Sequence, residues 1–116
     1  MKPVIPRLGL MALVALSLLA VPAAAVAGEP SFTSIDVPGA LRTAALGINP
    51  RGDIVGWYES ADRKVHGYLL RGGTFTSIDV PGAPFSLADG INPRGDVVGL
   101  FIDADGKEHG YLLSQR

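Results

Sequence analysis

A tandem duplication constrains the fold of this chain more than any other feature. Residues 47–53 (GINPRGD) recur unchanged as residues 90–96, an offset of 43 positions. The same offset aligns the flanking sequence without a gap, and about 27 of 42 aligned positions are identical, which indicates an internal repeat. A repeat of this length cannot bury its apolar surface alone, so the two copies must pack against each other or against further copies.

The first 27 residues have the composition of a secretory signal peptide. Two cationic residues precede an apolar run, residues 8–21, that is too short for a transmembrane helix. An A-x-A site ending at Ala27 places the mature start at Gly28, with Ala25 as the alternative last residue of the peptide. We therefore predict a helical signal peptide over residues 1–27, export to the periplasm or the exterior, and no membrane segment after cleavage.

Charge and cysteine content exclude several functions. Loss of the signal peptide removes Lys2 and Arg7, so the formal charge falls from −1 to about −3. The cations are scattered singly, which gives no reason to expect nucleic acid or anionic lipid as a partner. The chain has no cysteine, hence no disulfide, thiol nucleophile or cysteine metal site, and we predict no cofactor. Its stability must come from packed sheets, to which association with other copies would add.

The mature sequence has an all-β pattern, because β-branched and aromatic residues alternate with glycine and proline and no segment shows helical periodicity. We predict two tandem four-stranded antiparallel meanders, one in the first repeat (residues 28–73) and one in the second (residues 74–116). The predicted strands are residues 31–37, 43–48, 53–59, 65–71, 74–80, 86–91, 96–102 and 108–113.

Glycine and proline predict the turns between these strands. Pro38 and Gly39 fit the centre of a type II turn. Asn49 caps the following Asn-Pro-Arg-Gly turn, in which Gly52 takes the left-handed conformation. The pair at residues 72–73 is a two-glycine hairpin of the kind that favours type I′.

A four-stranded repeat of this size is typical of one β-propeller blade. Two blades do not close a ring, so the sequence leaves three arrangements open. Several chains would form one ring, with a trimer of six blades or a tetramer as examples. The two meanders would instead pack face to face as a sandwich or barrel. Alternatively, the chain is a short remnant of a longer repeat array.

Three motifs in order, FTSIDVPGA, GINPRGDIVG and HGYLL, resemble the repeat of the bacterial "probable extracellular repeat, HAF family" proteins. The resemblance covers both repeats, although Tyr68 and Tyr111 stand where that family often has phenylalanine, and this chain has fewer repeats than typical members. It implies an exported bacterial protein with propeller-like β repeats. It implies no activity and no catalytic residues.

His66 and His109 are the only histidines and candidates for metal or ligand binding or for general base catalysis. They occupy equivalent places in the two repeats, so we expect them to lie apart, each hydrogen-bonded to a neighbouring loop or strand. The nearby acidic residues are Glu59, Asp62, Asp105 and Glu108.

Asp36 and Asp79 are a candidate carboxylate pair for carbohydrate chemistry. The alternative is that each accepts backbone N–H bonds from the turn that follows it. Asp53 and Asp96, directly after the Asn-Pro-Arg-Gly turns, have the same structural interpretation.

Two short motifs are better explained by turn geometry than by function. The tripeptides at residues 51–53 and 94–96 spell Arg-Gly-Asp, but the turn itself demands the glycine. Residues 103–106 (DADG) resemble part of a calcium loop, yet Phe101 and Leu112 occupy positions that an EF-hand fills with acids.

Trp57 and Tyr58, aligned with Leu100 and Phe101, are candidates for a sugar-binding face, although aromatic residues on such a strand are more often core. No converging catalytic set is visible. The sequence thus favours a secreted, non-enzymatic repeat protein that acts as a binding or structural module. A carbohydrate-binding or carbohydrate-active protein is the alternative, and a homo-oligomer or a glycan is the expected partner.

Overall fold

The computed structural model describes residues 28–114, which form an all-β fold of seven strands in one curled sheet. This range contains no helix, and so none that is long and apolar enough to cross a membrane. The predicted signal peptide lies outside the described residues, as do residues 115–116. The strands are β1 (Arg42–Ile48), β2 (Ile54–Glu59), β3 (Val65–Arg71), β4 (Thr74–Ile78), β5 (Phe85–Ile91), β6 (Val97–Ile102) and β7 (Glu108–Leu113).

The strands pair in two antiparallel groups. The first strand group is β1 to β4, each paired with the next in sequence. The second strand group is β5 to β7, paired in the same way. A single parallel bridge between Val65 and Phe85 joins the groups. β4 therefore belongs to the second repeat in sequence but to the first group in the sheet.

The strand predicted over residues 31–37 is absent, because that segment has no strand assignment. The same sequence in the second repeat does form a strand, β4, because the hairpin at residues 72–73 pairs it with β3. No strand pairing among residues 28–114 includes residues 31–37, so this segment is not assigned as a strand. The prediction of four strands in the first repeat is therefore wrong, since that repeat supplies three and the second repeat supplies the fourth.

The predicted turns are confirmed. Gly39 has a φ of 79°, and the Ala40 N–H donates to the Val37 carbonyl at 3.0 Å. Gly72 and Gly73 have φ values of 56° and 83°, and positive φ at both positions is what a type I′ hairpin requires. These conformations depend only on local sequence, which is why they were predictable.

A β-bulge recurs in the first strand of each group. The register of β1 on β2 shifts between Ala45 and Gly47, and the same shift occurs between β5 and β6. Next to the bulge the backbones of β1 and β2 approach closely, and a Cβ placed on Gly56 would collide with the Ala44 carbonyl. Glycine is required here because the two backbones approach too closely for any side chain.

The core lies between the two strand groups. We call the side of a group that carries Val55 and Leu69, or their repeat equivalents, its forward face, and the opposite side its rear face. The forward face of the first group packs on the rear face of the second, which contributes Ala88 and Val97. The partly buried residues against this core are Ile91, Tyr111 and Leu113.

Candidate functional site

His66 lies at the centre of a polar cluster on the rear face of the first strand group. β2 and β3 place Tyr58 opposite His66, and the two rings stack with centroids 5.0 Å apart. β4 then brings Ser77 alongside, and Asp79 directly follows the end of β4. The Tyr58 and Ser77 hydroxyl oxygens are 2.6 Å apart, and His66 Nδ1 is 2.7 Å from Asp79 Oδ1. Three strands therefore converge on one imidazole.

Ser60, His66 and Asp79 are arranged in the order of a Ser-His-Asp triad, because Ser60 Oγ lies 3.1 Å from His66 Nε2 and Asp79 lies at Nδ1. The Ser60 hydroxyl has a single proton, and its oxygen also contacts the Asp62 carboxylate and, at 3.1 Å, the Lys64 carbonyl. Both of these groups only accept hydrogen bonds, so the proton is committed to the turn. This bonding lowers the pKa of the Asp62 carboxyl, first through Ser60 and then through the Lys64 N–H. The arrangement closes a loop and does not activate a nucleophile.

The second repeat supports this interpretation, because Asp103 stands where the first repeat has Ser60. Asp103 Oδ1 accepts from the backbone N–H groups of Asp105 and Lys107, both at 2.9 Å, and Oδ2 lies 2.8 Å from His109 Nε2. The His109 hydrogen bond and then the Lys107 N–H lower the pKa of the Asp103 carboxyl. A carboxylate replaces the hydroxyl without changing the turn, as a structural contact would allow.

The two histidines differ on their other side. The His109 ring stacks on Phe101 at 4.8 Å, but within residues 28–114 its Nδ1 contacts no carboxylate. The repeat equivalent of Asp79 is Asp36, which is exposed. No contact among the described residues joins Asp36 to Asp79, so the structure does not bring together the carboxylate pair that the sequence suggested.

Trp57 and Tyr58 do not form one sugar-binding platform. They are consecutive residues of β2, and side chains alternate between the faces of a strand. Tyr58 joins the His66 cluster, whereas Trp57 lies under the Arg42 guanidinium at 5.3 Å. Arg42 Nε in turn donates to Glu59 at 2.8 Å. Each ring therefore already has a partner on one face.

A second polar network joins the repeats. Asn49 Oδ1 accepts from the N–H groups of Arg51 (3.1 Å) and Asp53 (3.0 Å), as the predicted cap requires. The Asn49 amide donates to Asp53 and, at 3.1 Å, to the Asn92 carbonyl of the other repeat. Arg71, and then Asn49, lower the pKa of the Asp53 carboxyl by hydrogen bonding. Asp53 is only 4% exposed, so the Arg-Gly-Asp tripeptide is not displayed for adhesion.

Two equivalent tyrosines, Tyr68 and Tyr111, lie against Gly56 and Gly99, the glycines that pair with the bulged strands. Tyr111 donates its hydroxyl to the Leu87 carbonyl at 2.9 Å. Burial, then the negative charges of Asp89 and Asp79, raise its pKa to about 12. Burial also raises the pKa of Tyr68, whose hydroxyl has no partner within the described residues. Neither phenol is placed to act as an acid or base near neutral pH.

A groove of about 410 Å³ separates β4 from β7. Its floor includes Leu69 and Ile78 from the first group and Tyr111 and Leu113 from the second. We call it the β4–β7 groove. It is mostly apolar, and one of its walls is the outer edge of β7, which pairs only with β6 in the part of the chain that the structure describes.

Sequence reasoning missed Ser60, Ser77 and Arg71. Ser60 was detectable, because serine and aspartate at the same place in two repeats both suit a turn. Arg71 had no such signal, since the second repeat has Ser114 there. Among residues 28–114, no group of three or more histidine, aspartate or glutamate side chains is arranged to hold a metal ion.

Comparisons with protein-family models, with curated proteins and with solved structures found no match to this chain.

Proposed function

We propose that this chain is an exported, non-enzymatic repeat module that associates with other molecules through the outer faces of its sheet. The composition of residues 1–27 supports export. The resemblance of its motifs to the bacterial HAF repeats supports an extracellular structural role. Each strand group, on this proposal, is one propeller-like blade, and copies of the chain complete a trimeric or tetrameric ring.

The observation that carries the proposal is the apolar character of the two outer faces. The forward face of the second group exposes Val98 and Leu112. The rear face of the first group exposes Ile48, and a shallow hollow lined by Ala45 and Ile54 lies beside it. Neighbouring exposed apolar side chains of this kind mark interaction surfaces.

The hydrogen bonds that already occupy the polar side chains support a non-enzymatic role. The Ser60 proton is taken up by its own turn, and the Asp53 carboxylate is held by Asn49 and Arg71. His66 is fixed on both nitrogens. A general base or nucleophile needs a free reach to substrate, which these groups lack.

Glycan binding is a second candidate, favoured by the half-exposed Asp79 beside Tyr58 and His66. Carboxylates and aromatic rings are common in sugar sites. A glycan array probed with the exported chain would test it. Binding that is lost in Tyr58→Ala but kept in Phe101→Ala, the equivalent change, would support the His66 cluster as the site, and a blank array would remove the candidate.

The main proposal is tested by expression in a bacterial host with the native leader. We expect the chain in the exported fraction, with an N-terminus at Gly28 by protein sequencing. Sedimentation velocity, with and without purified cell-envelope polysaccharide, should show a species larger than the monomer. Leu112→Lys should reduce that species, because it places a charge on an apolar contact face. Retention in the cytoplasm, or a monomer under both conditions, would contradict the proposal.

A further inference from the structure

We propose that copies of this chain associate head to tail by strand donation, with residues 31–36 of one copy pairing along the free edge of β7 in the next. The inference rests on the proposed module function and names its partner: a second copy of this chain. The donated segment would complete the second strand group as β4 completes the first.

The chain contains its own template for this contact. In the first strand group, residues 67–71 of β3 pair with residues 74–78 of β4, with Leu69 opposite Thr76 and Gly67 opposite Ile78. Residues 66–70 of this strand have the sequence HGYLL. β7 carries the identical HGYLL sequence as residues 109–113. Residues 32–37 (FTSIDV) are identical to residues 75–80. Both sequences of the β3–β4 pair therefore occur a second time, but among the described residues β7 is paired only with β6.

The outer edge of β7, the proposed acceptor, is open, whereas the equivalent edge of β3 is paired with β4. Leu69, which lies beside β4 and packs in the core against the second strand group, is 8% exposed, whereas Leu112 is 66% exposed. A Cβ on Gly67 would lie 3.0 Å from the Ile78 carbonyl oxygen, but one on Gly110 would meet nothing nearer than the Gly99 carbonyl oxygen at 3.8 Å. The outer edge of β7 thus has the space that a strand would fill.

The donor segment is exposed and ends in the same geometry as β4. Phe32 is 97% exposed, although its equivalent Phe75 packs edge-on against Tyr68 at 5.5 Å. The Val37 N–H donates to Thr43 Oγ1 at 3.1 Å. The equivalent bond, from Val80 to Ser86, fixes the exit from β4 at the same 3.1 Å. The two segments therefore lead into β1 and β5 in the same way.

The β4–β7 groove is the seat for the donated aromatic ring. In the template Phe75 lies against Tyr68, and the groove is lined by the equivalent tyrosine, Tyr111. The incoming Phe32 would occupy it. In the same register, the incoming Asp36 would reach Nδ1 of His109, as Asp79 reaches His66 at 2.7 Å.

The outer faces extend the same contact. Between the repeats, the forward face of the first group covers the rear face of the second. The uncovered surfaces are the forward face of the second group, with Val98 and Leu112, and the rear face of the first group, with Ile48. They are the two halves of an interface that the chain already makes once, including the hydrogen bond from Asn49 to the Asn92 carbonyl.

A second copy fits better than the chain's own segment. Residues 34–37 lead into β1, at one end of the strand order, and β7 lies at the other end. Val37 is tied to Thr43 beside β1. A head-to-tail contact is heterologous, so it produces a closed ring if the rotation per copy closes and a filament if it does not.

Cysteine cross-linking tests the register directly, because the chain has no cysteine of its own. Thr33→Cys and Leu112→Cys correspond to the Thr76 and Leu69 pair of the template. A cross-strand pair lies within disulfide distance. When the two exported variants are mixed and mildly oxidised, we expect a covalent heterodimer in large excess over both homodimers. Ser114→Cys in place of Leu112→Cys is the control, since it is two residues out of register and should give little product.

Two results would overturn the inference. Homodimers and heterodimers in the proportions of random collision would show that no specific pairing exists. A double variant, Thr33→Cys with Leu112→Cys, that closes its disulfide within a monomer would show that the chain's own segment occupies β7.

Light scattering over a range of concentrations supplies the second measurement. We expect a mass above the monomer and, for Phe32→Ser, a loss of assembly affinity of about tenfold or more, as for a buried aromatic anchor. Leu41→Ser is the matched control, because Leu41 is also exposed but has no counterpart in β4. An unchanged mass for Phe32→Ser would contradict strand donation. A monomeric chain that still binds envelope polysaccharide would refute the self-association and leave the module function standing.

Discussion

Leu69 and Leu112 occupy the same position in the two repeats, within the identical sequence HGYLL, and Gly67 and Gly110 precede them by two residues. The first leucine is buried in the core against the second strand group, and the second is exposed. The first glycine faces a neighbouring strand, and the second faces open space. The local backbone is a strand in both cases.

This contrast separates the local backbone structure, which each repeat specifies by itself, from side-chain burial, which depends on the neighbouring unit. The strand, the turn and the bulge are formed in both repeats, so they follow from the repeat's own sequence. The burial of the same leucine differs, so it follows from the next unit in the array. Repeat proteins behave in this way because each unit contacts only its neighbours.

The largest effect should be common to both repeats. Gly56→Ala and Gly99→Ala would each drive a Cβ into a carbonyl of the bulged strand, that of Ala44 or Leu87. We expect each to cost at least about 3 kcal/mol of unfolding free energy, at the upper end of overpacking effects, because backbone rather than side chain must move. Urea unfolding followed by circular dichroism measures this cost.

Gly90→Ala is the control, because its added Cβ would meet only Val98 Cγ2, at the ordinary contact distance of 3.4 Å. A wild-type urea midpoint for Gly99→Ala would contradict the bulge geometry in the second repeat.

The next effect should differ between the repeats. Leu69→Ala deletes a buried side chain and should cost about 2–4 kcal/mol. Leu112→Ala alters an exposed one and should change the unfolding free energy of the dilute monomer by less than about 0.5 kcal/mol. The comparison is made at a protein concentration below that at which assembly begins. If Leu112→Ala were as damaging as Leu69→Ala in the monomer, the second strand group would not be open.

The comparison between Leu69→Ala and Leu112→Ala should come out differently at a protein concentration high enough for assembly. In an assembly, Leu112 would be covered as Leu69 is, so Leu112→Ala should then lower the melting temperature of the assembled form. A melting temperature that stays unchanged at every concentration would argue that nothing covers this face.

Local features could be predicted from the sequence, and non-local pairings could not. Gly39, Gly72 and Gly73 were predicted correctly because their φ values depend on adjacent residues. The strand over residues 31–37 was wrong because a strand requires a partner, and its partner sequence, HGYLL, comes later in each repeat. The two-glycine hairpin was sufficient to predict the correct pairing. So tight a turn must pair the strands on either side of it, and these two strands lie on opposite sides of the repeat boundary.

The candidate site shows the same limit. His66 and Asp79 were each selected from the sequence, but their contact depends on β4 joining β3. Trp57 and Tyr58 were candidates for a sugar-binding face, and strand alternation places the two side chains on opposite faces of β2. The turn-forming role of Ser60 was detectable from the two repeats, but its contact with the His66 imidazole depends on how the loop folds.

A smaller difference between the repeats should appear only in acid. Arg71 holds the buried Asp53 carboxylate, whereas the second repeat has Ser114 in that place. Because the pKa of Asp53 is below its ordinary value of 3.8 in the folded state, its ionisation stabilises the fold above that value. The stabilisation is lost as the pH falls through the folded-state pKa. Arg71→Ser should therefore move the midpoint of acid unfolding to higher pH.

Arg51→Ser is the matched control for this measurement. Arg51 lies farther from the same carboxylate, at 3.5 Å, and contributes less to the pKa shift. Acid unfolding followed by tryptophan fluorescence would show equal midpoints for both variants if Arg71 had no special role.

The smallest expected effect concerns the loops that precede the two histidines. Arg63 and Gly106 are equivalent, and both have positive φ, 71° and 86°. Gly106→Arg should cost about 0.5–1 kcal/mol, because the left-handed strain of a non-glycine residue exceeds the entropy regained from the unfolded chain. Arg63→Gly relieves that strain but removes an exposed ion pair with Glu59 at 3.6 Å, so its net change should stay within about 0.5 kcal/mol. Urea midpoints that shift equally in both variants would indicate that the two loops differ in more than this residue. A larger loss of stability for Gly106→Arg than for Arg63→Gly would show that both loops adopt the same conformation. The two variants would then differ only in the backbone strain at this one position.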